Sequence, residues 1–212
     1  MHMDKKINNN GFDYVDLDLP SGILWATCNV GADKPSDAGL YFQWEDTQGY
    51  AKDQVGIGKG KKEFYLYDYK WYESGNIDED NIVFKKYTTK GATLDLEDDA
   101  AHVNMGGSWH MPSPAQIKEL IDNTTSTWTI LDNVIGMKFT SKKNASKYIF
   151  IPAAGKAWGG SIYSSHYYGF IGSSMLSTKY VDIVPYLYFN PESACLNYDY
   201  RYRGLSIRGV IG

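Results

Sequence analysis

Apolar and polar positions follow their clearest pattern near the middle of the chain, between residues 95 and 123. The later part of this stretch repeats apolar residues at the spacing of one helical face, namely Ile117, Leu120 and Ile121. Ser113, Pro114 and Gln116 come just before that face, in the order of an N-cap, a first helical residue and a capping-box partner. The pattern therefore predicts a capped helix with one buried face.

A second, shorter helix is predicted immediately upstream. Asp98 and Asp99 stand where the unpaired N–H groups of a helix favour negative charge, and residues 106–107 are glycines, which end helices readily. Trp109 and Met111 separate the two helices, and we expect both side chains to be buried. The sequence thus predicts two short helices joined by a buried aromatic junction.

Most of the remaining chain has the residue pattern of β-strands. Strands are predicted at residues 12–19, 23–30, 127–131, 136–141, 148–151, 186–189 and 205–210. Residues 31–94 are irregular and rich in glycine and aromatic residues. These patterns predict an α+β fold, with two short helices packed on twisted antiparallel β-sheets and with long irregular loops. We expect a disordered lead over residues 1–10 and a single domain over residues 11–212.

Composition argues against several classes of function. The chain has 212 residues, of which 43% are hydrophobic, so it can bury a substantial core. Its net charge of −4 comes without a long basic stretch, which argues against a nucleic-acid partner. No segment approaches the roughly 18 apolar residues of a membrane span. No signal peptide is recognisable, but a leader can be trimmed, so export is not excluded. We expect a monomer without a cofactor.

Tyrosine is the most over-represented residue type, with 18 copies. It covers a large contact area with few torsions and carries a polar hydroxyl, so an excess is typical of recognition surfaces. We predict a binding region at about residues 160–203, with Tyr188 and Phe189 in the core. The candidate ligand-binding residues are Tyr163, His166, Tyr167, Tyr168, Phe170, Gly172, Met175, Asp182, Asn197, Tyr198, Asp199, Tyr200 and Tyr202. We expect most of these tyrosines to be exposed on one face.

Four stretches of the chain resemble a known family. They read LPSGILWATCNVGA at 19–32, EDDAAHVNMGGSWHMPSPAQIKELID at 97–122, FIPAAG at 150–155 and GLSIRGV at 204–210. Together they resemble the Fibrobacter succinogenes major paralogous domain, which is abundant in Bacteroides-type bacteria. The resemblance implies a C-type-lectin-like fold whose C-terminal part displays a binding surface. Many members look like variable proteins of diversity-generating retroelements, in which adenine-directed mutagenesis rewrites codons near the C-terminus.

This resemblance also implies a function and a location. We expect a receptor- or adhesin-like protein that binds a protein or a surface glycan, either outside the cell, at the cell surface or on a phage particle. The chain departs from the family at Gly172, where Trp is frequent, and at Gly209, where Pro is frequent. A glycine at position 172 implies either an open local pocket or a site that has varied.

Two groups of residues could carry metal or thiol chemistry. Asp95, Glu97, Asp98 and Asp99 with His102 could hold calcium or a transition metal, but the spacing of a known calcium loop is missing. Stabilisation of a helix start accounts for the same residues, and we favour that interpretation. The two cysteines, Cys28 and Cys195, are compatible with one disulfide or with free buried thiols, which we favour.

The alternative to a binding protein is an enzyme. The family is related to formylglycine-generating, sulfatase-modifying enzymes, which use a pair of active-site cysteines in the C-terminal half. Cys195 is the only cysteine in that half, which argues against their activity. A lone Cys195 nucleophile with His166 is a weaker alternative. We therefore assign no catalytic residue and expect no enzyme. Arg201 and Arg208 are expected to support the fold rather than bind a ligand.

Overall fold

The structure, a computed structural model, describes residues 7–76 and 81–212. Its helices are α1 (Ala100–Met105) and α2 (Pro114–Asn123), with 3₁₀ turns at Lys52–Gln54 and Leu96–Asp98. Its strands are β1 (Ile7–Asn9), β2 (Phe12–Asp16), β3 (Leu24–Ala26), β4 (Tyr41–Phe42), β5 (Tyr72–Ser74), β6 (Val83–Phe84), β7 (Thr124–Leu131), β8 (Val134–Ser141), β9 (Tyr148–Pro152), β10 (Lys156–Trp158), β11 (Ser161–Tyr163), β12 (Gly169–Gly172), β13 (Ile183–Phe189), β14 (Ala194–Tyr200), β15 (Leu205–Ser206) and β16 (Val210–Ile211). The prediction of a mixed fold of mostly β-sheet with two short helices is confirmed.

Three larger sheets organise the chain. The first has the order β1-β2-β3-β16, the second β14-β13-β12-β15-β4, and the third is the meander β7-β8-β9. Because β16 pairs antiparallel with β3, Val210 lies opposite Trp25, and the last strand closes the sheet that contains the first. Within the second sheet, β12 and β15 run parallel while the other neighbours are antiparallel.

Both helices begin, and α1 also ends, where the sequence predicts. The Asp99 side chain accepts the His102 N–H at 2.9 Å and so caps α1, and Gly106 follows the helix with a φ of 70°, where glycine is favoured. The same Asp99 carboxylate accepts the Met111 N–H, which joins the two helices. In α2, Ser113 and Gln116 form the reciprocal capping box, and burial of Ile117 and Leu120 directs the helix onto the sheets.

The main core lies between α2, the meander and the second sheet. Buried residues from all of these meet there, including Leu120, Phe139, Ile151, Leu187 and Phe189. A second cluster surrounds the predicted junction, where Trp109 and Met111 are 0% and 2% exposed. The predicted burial of both junction residues is confirmed. Within the described residues, no helix is long and apolar enough to span a membrane.

Several strand boundaries differ from the prediction. Strand β2 stops at Asp16, since Asp18 turns the chain with a φ of 56°. The predicted strand at residues 205–210 is divided into β15 and β16, with Arg208 between them. Strand β7 starts at Thr124, directly after α2 and three residues before the predicted start at 127. Of the predicted disordered lead, residues 7–9 form β1, and residues 1–6 lie outside the described ranges.

Two buried arginines hold the irregular segments to the sheets, as predicted. The Arg208 guanidinium donates to Asn29 Oδ1 and to the carbonyls of Ala26 and Phe150, at 2.9–3.0 Å. Arg201 forms an ion pair with Glu45 and donates to the Tyr69 hydroxyl and to main-chain carbonyls of the segment before α1. Each guanidinium distributes several donors over a planar fork, so one side chain ties several chain segments together.

Candidate functional site

The C-terminal strands alternate between a core side and an outer side. Cross-strand neighbours share a face, so Ile171, Leu187 and Leu196 form one row toward the main core. The other side is here called the aromatic face, and it carries Phe170, Tyr186, Tyr188, Cys195, Asn197 and Asp199, with Tyr168 just before β12. The β10–β11 hairpin borders this face through Lys156 and Trp158.

A group of three charged side chains lies at the centre of the aromatic face. Asp199 forms an ion pair with Lys156, and its Oδ1 is 3.7 Å from Arg203 Nε. The Lys156 ammonium lies 5.3 Å from the centre of the Phe170 ring, and the Arg203 guanidinium lies 4.1 Å from that of Trp158. All three charged side chains are at least three-quarters buried. The group carries one excess positive charge, held in place by aromatic neighbours.

Exposed and half-buried rings surround these charges. Tyr163 and Trp158 are 45% and 41% exposed, and their ring centres are 5.1 Å apart. Tyr168 and Tyr188 stack with centres 5.6 Å apart and are both half-buried. Asn197 and Cys195 are exposed on β14. Rings fixed on hydrogen-bonded strands lose little freedom on binding, so this surface has the physical properties of a recognition site.

Three of the predicted ligand-binding residues are buried. Phe170 is 6% exposed because it packs with Tyr186 and Leu205, and Tyr202 is 4% exposed because it stacks on Tyr200 and packs in a core cluster with Tyr69. Gly172 is also buried, and a Cβ there would come within 2.9 Å of Ile207 Cδ1. The cavity that adjoins it has a volume of only about 10 Å³, which is far too small for a Trp side chain.

The other predicted residues divide between different surfaces. Tyr198 points to the side of β14 opposite Asp199 and lines a groove with Met175. Tyr200 packs against the irregular segment, and the Asp182 carbonyl accepts the Arg201 N–H at 2.8 Å. His166 and Tyr167 are exposed in the loop between β11 and β12, where His166 has a φ of 72°. The expectation of a single binding face is therefore wrong for Tyr198, which lies on the opposite side of β14, and for Tyr202, which is buried.

The residues selected from the sequence did not include Lys156, Trp158 and Arg203, which lie in the charged group of the aromatic face or against it. Arg203 lies over the Trp158 ring and beside the Lys156–Asp199 pair, although more than 40 positions of the chain separate it from Lys156 and Trp158. The run Tyr200-Arg201-Tyr202-Arg203 offered no usable signal, because two arginines spaced by two in a strand-like segment are expected to share a side. The structure divides them otherwise, since Arg201 enters the core with Glu45 while Arg203 joins Asp199.

Burial changes the proton affinities of the tyrosines around this surface. Burial raises the pKa of Tyr202 to about 12, with Arg203 acting in the opposite direction. Burial, and then the negative charge of Asp199, raises the pKa of Tyr186 well above its usual range. Both hydroxyls therefore stay protonated and neutral at physiological pH, which suits hydrogen bonding and packing rather than acid–base catalysis.

The ammonium group of Lys86 lies against the acidic group before α1. Carboxylate oxygens of Asp95, Glu97 and Asp98 lie within 4.8 Å of one another. The Lys86 ammonium forms ion pairs with Glu97 at 3.1 Å and with Asp98, and the Tyr87 hydroxyl donates to Asp98 at 2.7 Å. A protein ammonium thus already lies against the oxygens that a metal would need. Asp99, the fourth acid, is committed to capping α1.

Both cysteines are free, as favoured from the sequence. Cys28 is half-buried, whereas Cys195 is exposed on β14, so the expectation that both thiols are buried is wrong for Cys195. Cys195 lies opposite Tyr188 in the sheet register. Neither thiol is within disulfide distance of the other, and the sequence contains no third cysteine.

No family model, no curated protein and no solved structure matches the chain. The chemistry of the aromatic face therefore rests on its own residues. Its rings offer stacking surfaces, Asn197 offers an amide donor and acceptor, and the charged group offers one excess positive charge. This combination supports reversible, non-covalent binding.

Proposed function

We propose that this chain is a ligand-binding protein that uses the aromatic face to hold a protein or a surface glycan. The observation that carries the proposal is the arrangement of exposed rings around the Lys156–Asp199–Arg203 group, on strands whose other side is buried in the core. A rigid platform with adaptable polar positions between aromatic anchors is the arrangement that recognition surfaces use. In this proposal the site acts outside the cell, at the cell surface or on a phage particle.

The finer fold assignment belongs to the same proposal. We assign the chain to the C-type-lectin-like class, because its last strand joins the sheet that contains its first strand, two short helices pack on the sheets, and long irregular segments connect the elements. Two of the four stretches that resemble the Fibrobacter succinogenes domain meet directly in space. Ala26 of the first donates its N–H to the carbonyl of Gly209 in the last, at 2.9 Å.

We also propose that the chain is the variable protein of a diversity-generating retroelement. Tyr, Asp, Ser and His are each reached from an Asn codon by a single change at an adenine, and these residue types occupy exposed or half-buried positions at 163–167 and exposed positions at 197–198. Such positions tolerate replacement, because exposed side chains contribute little to stability. The buried neighbours Phe170, Tyr186 and Arg203 would remain constant and hold the scaffold.

The genomic neighbourhood of the gene tests this proposal most directly. A near-copy of the 3′ coding segment and a reverse-transcriptase gene should lie beside it. Differences between the two copies should fall at adenines and in codons of exposed residues such as Tyr163, His166 and Asn197. A neighbourhood without the near-copy, or differences concentrated in codons of buried residues such as Phe170, would overturn the retroelement assignment.

Binding itself is tested with arrays of purified bacterial surface proteins and glycans. A parent chain that binds an array member should lose that binding when Trp158, Tyr163 and Tyr168 are replaced together by Ser, since a few aromatic anchors hold most of the energy of an interface. The matched control replaces the exposed residues Tyr67, Ile130 and Tyr148, which belong to segments other than β10–β14. Equal loss in both triple variants would contradict a binding role for this face.

A further inference from the structure

A deep groove lies on the opposite side of β13 and β14 from the aromatic face. It runs between the first turn of α2, the segment after β12 and the start of β13, and it has a volume of about 650 Å³. Pro185, which lies opposite Tyr198 across β13 and β14, lines it on the sheet side, and Met175 and Ala115 line it on the other sides. Its volume is that of a site for a small organic molecule.

The groove is apolar and carries flat rings at its edges. Tyr180 and Tyr198 both line it and are 60% and 54% exposed, so large aromatic surfaces remain uncovered there. Among the described residues that line it, none has a carboxylate or carboxamide side chain. Sugar hydroxyls need such groups for paired hydrogen bonds, and an apolar lining would leave them unpaired. The groove is therefore suited to an apolar, ring-containing body.

The ionised side chain that lines the groove is positively charged. Lys179 is the one ionised side chain among the described lining residues, although the whole chain carries a net charge of −4. Pro114 and Ala115 bring the N-terminal turn of the ten-residue helix α2 to the same groove, and a helix N-terminus also favours negative charge. Asp182 does not line the groove itself but lines an adjoining depression that shares Lys179 and Tyr180 with it. An anionic group on the ligand would complement both positive features.

From this shape and charge, we propose that the groove binds a small molecule with an apolar aromatic body and a single anionic group. The body lies on Pro185 and Met175 between the two tyrosine rings, and the anion lies toward Lys179. This site is separate from the aromatic face, because Tyr198 and Asp199 point to opposite sides of β14. A negative binding result for the groove therefore does not affect the proposal for the aromatic face, and the reverse also holds.

The test uses 2-naphthylacetate as the anionic probe and 2-naphthylacetamide as its neutral counterpart, measured by titration calorimetry and by amide chemical shifts. We expect one saturable site for the acid, with the largest shift changes at Ala115, Met175 and Tyr198, and weaker binding of the amide. Ala115→Trp places a large ring in the groove at an exposed helix position and should weaken both ligands by about tenfold or more. Lys179→Gln should weaken the binding of the acid toward that of the amide, with the α2 N-terminus retaining part of the difference, and should leave the amide unchanged.

Two variants control for general effects of these changes. Lys118→Gln removes an exposed lysine of the same helix outside the groove, and Val103→Trp adds a ring at an exposed position of α1. Both should bind the two probes as the parent does. The proposal is overturned by the absence of saturable binding, by parent-like binding in Ala115→Trp, or by equal affinities of the parent for acid and amide.

Discussion

At the scale of single residues, the Glu45–Arg201 pair makes the stability of the fold depend on pH. Burial raises the pKa of the Glu45 carboxyl from its usual 4.5 to about 7, although Arg201 acts against this change, and Glu45 Oε1 is buried with no hydrogen-bond partner among the described residues. Between pH 4.5 and about pH 7, the Glu45 carboxyl is protonated in the folded state and ionised in the unfolded state. Stability contributed by this group is therefore present below pH 4.5 and is lost as the pH rises toward 7.

The Glu45→Gln variant isolates this titration, because glutamine has a similar shape and does not ionise. The free energy of unfolding of the parent minus that of the variant should fall by about 1–3 kcal/mol as the pH rises through this window. Chemical denaturation at a series of pH values measures the difference. A difference that stays constant would show that Glu45 is ionised throughout and that Arg201 outweighs the effect of burial.

Chemical denaturation should also show that buried and exposed tyrosines of the C-terminal region contribute differently to the free energy of unfolding. Tyr202 is 4% exposed and stacks on Tyr200 with ring centres 5.1 Å apart, so Tyr202→Ser should lower the free energy of unfolding by about 3–5 kcal/mol. Tyr163→Ser and Tyr167→Ser change rings that are 45% and 68% exposed, and each should remain within about 0.5 kcal/mol of the parent. A stable Tyr202→Ser protein would contradict its place in the core.

At the scale of elements, α2 shows how local sequence and packing combine. Ser113→Ala removes the acceptor that caps Gln116 N–H and should cost about 1 kcal/mol. Ile117→Ala empties a position that is 0% exposed and should cost about 2–5 kcal/mol. Lys118→Ala is the control, since this side chain is 70% exposed and its ion pair with Asp122 lies on the surface. Denaturant titrations should find Lys118→Ala the most stable of the three variants, Ser113→Ala intermediate and Ile117→Ala the least stable.

At the scale of the whole molecule, the last strand closes the fold. Val210 is fully buried, lies opposite Trp25 and exchanges two main-chain hydrogen bonds with His110, at 2.9 and 3.1 Å. Deletion of residues 210–212 should therefore lower the free energy of unfolding by several kcal/mol, about 2–5, although it removes three residues from one end.

Removal of Gly212 alone is the matched deletion, because this residue is exposed and follows β16. It should change the melting temperature little. If both deletion variants melted at the same temperature as the parent, then the pairing of β16 with β3 would contribute nothing to stability.

Local signals in the sequence were sufficient for α1, α2 and the β8–β9 hairpin. A cap, a proline at the first helical position and apolar residues at a spacing of three and four act within one or two turns, so they need no distant partner. The burial of Trp109 and Met111 followed in the same way, because two helices joined by a short connection must cover the residues between them. The structural role of Arg201 and Arg208 was also predicted from the sequence.

The division of the C-terminal tyrosines was decided by tertiary structure alone. Residue type indicates that Tyr198, Tyr200 and Tyr202 suit a surface, but strand alternation and the partner segment decide which side each occupies. Tyr202 became core because the irregular segment around Tyr69 covers it, and that contact joins residues more than 130 positions apart. The aromatic face likewise needs Lys156 beside Asp199, and the groove needs Ala115 beside Tyr198. Such pairings depend on how distant strands and helices pack, which no local pattern in the chain specifies.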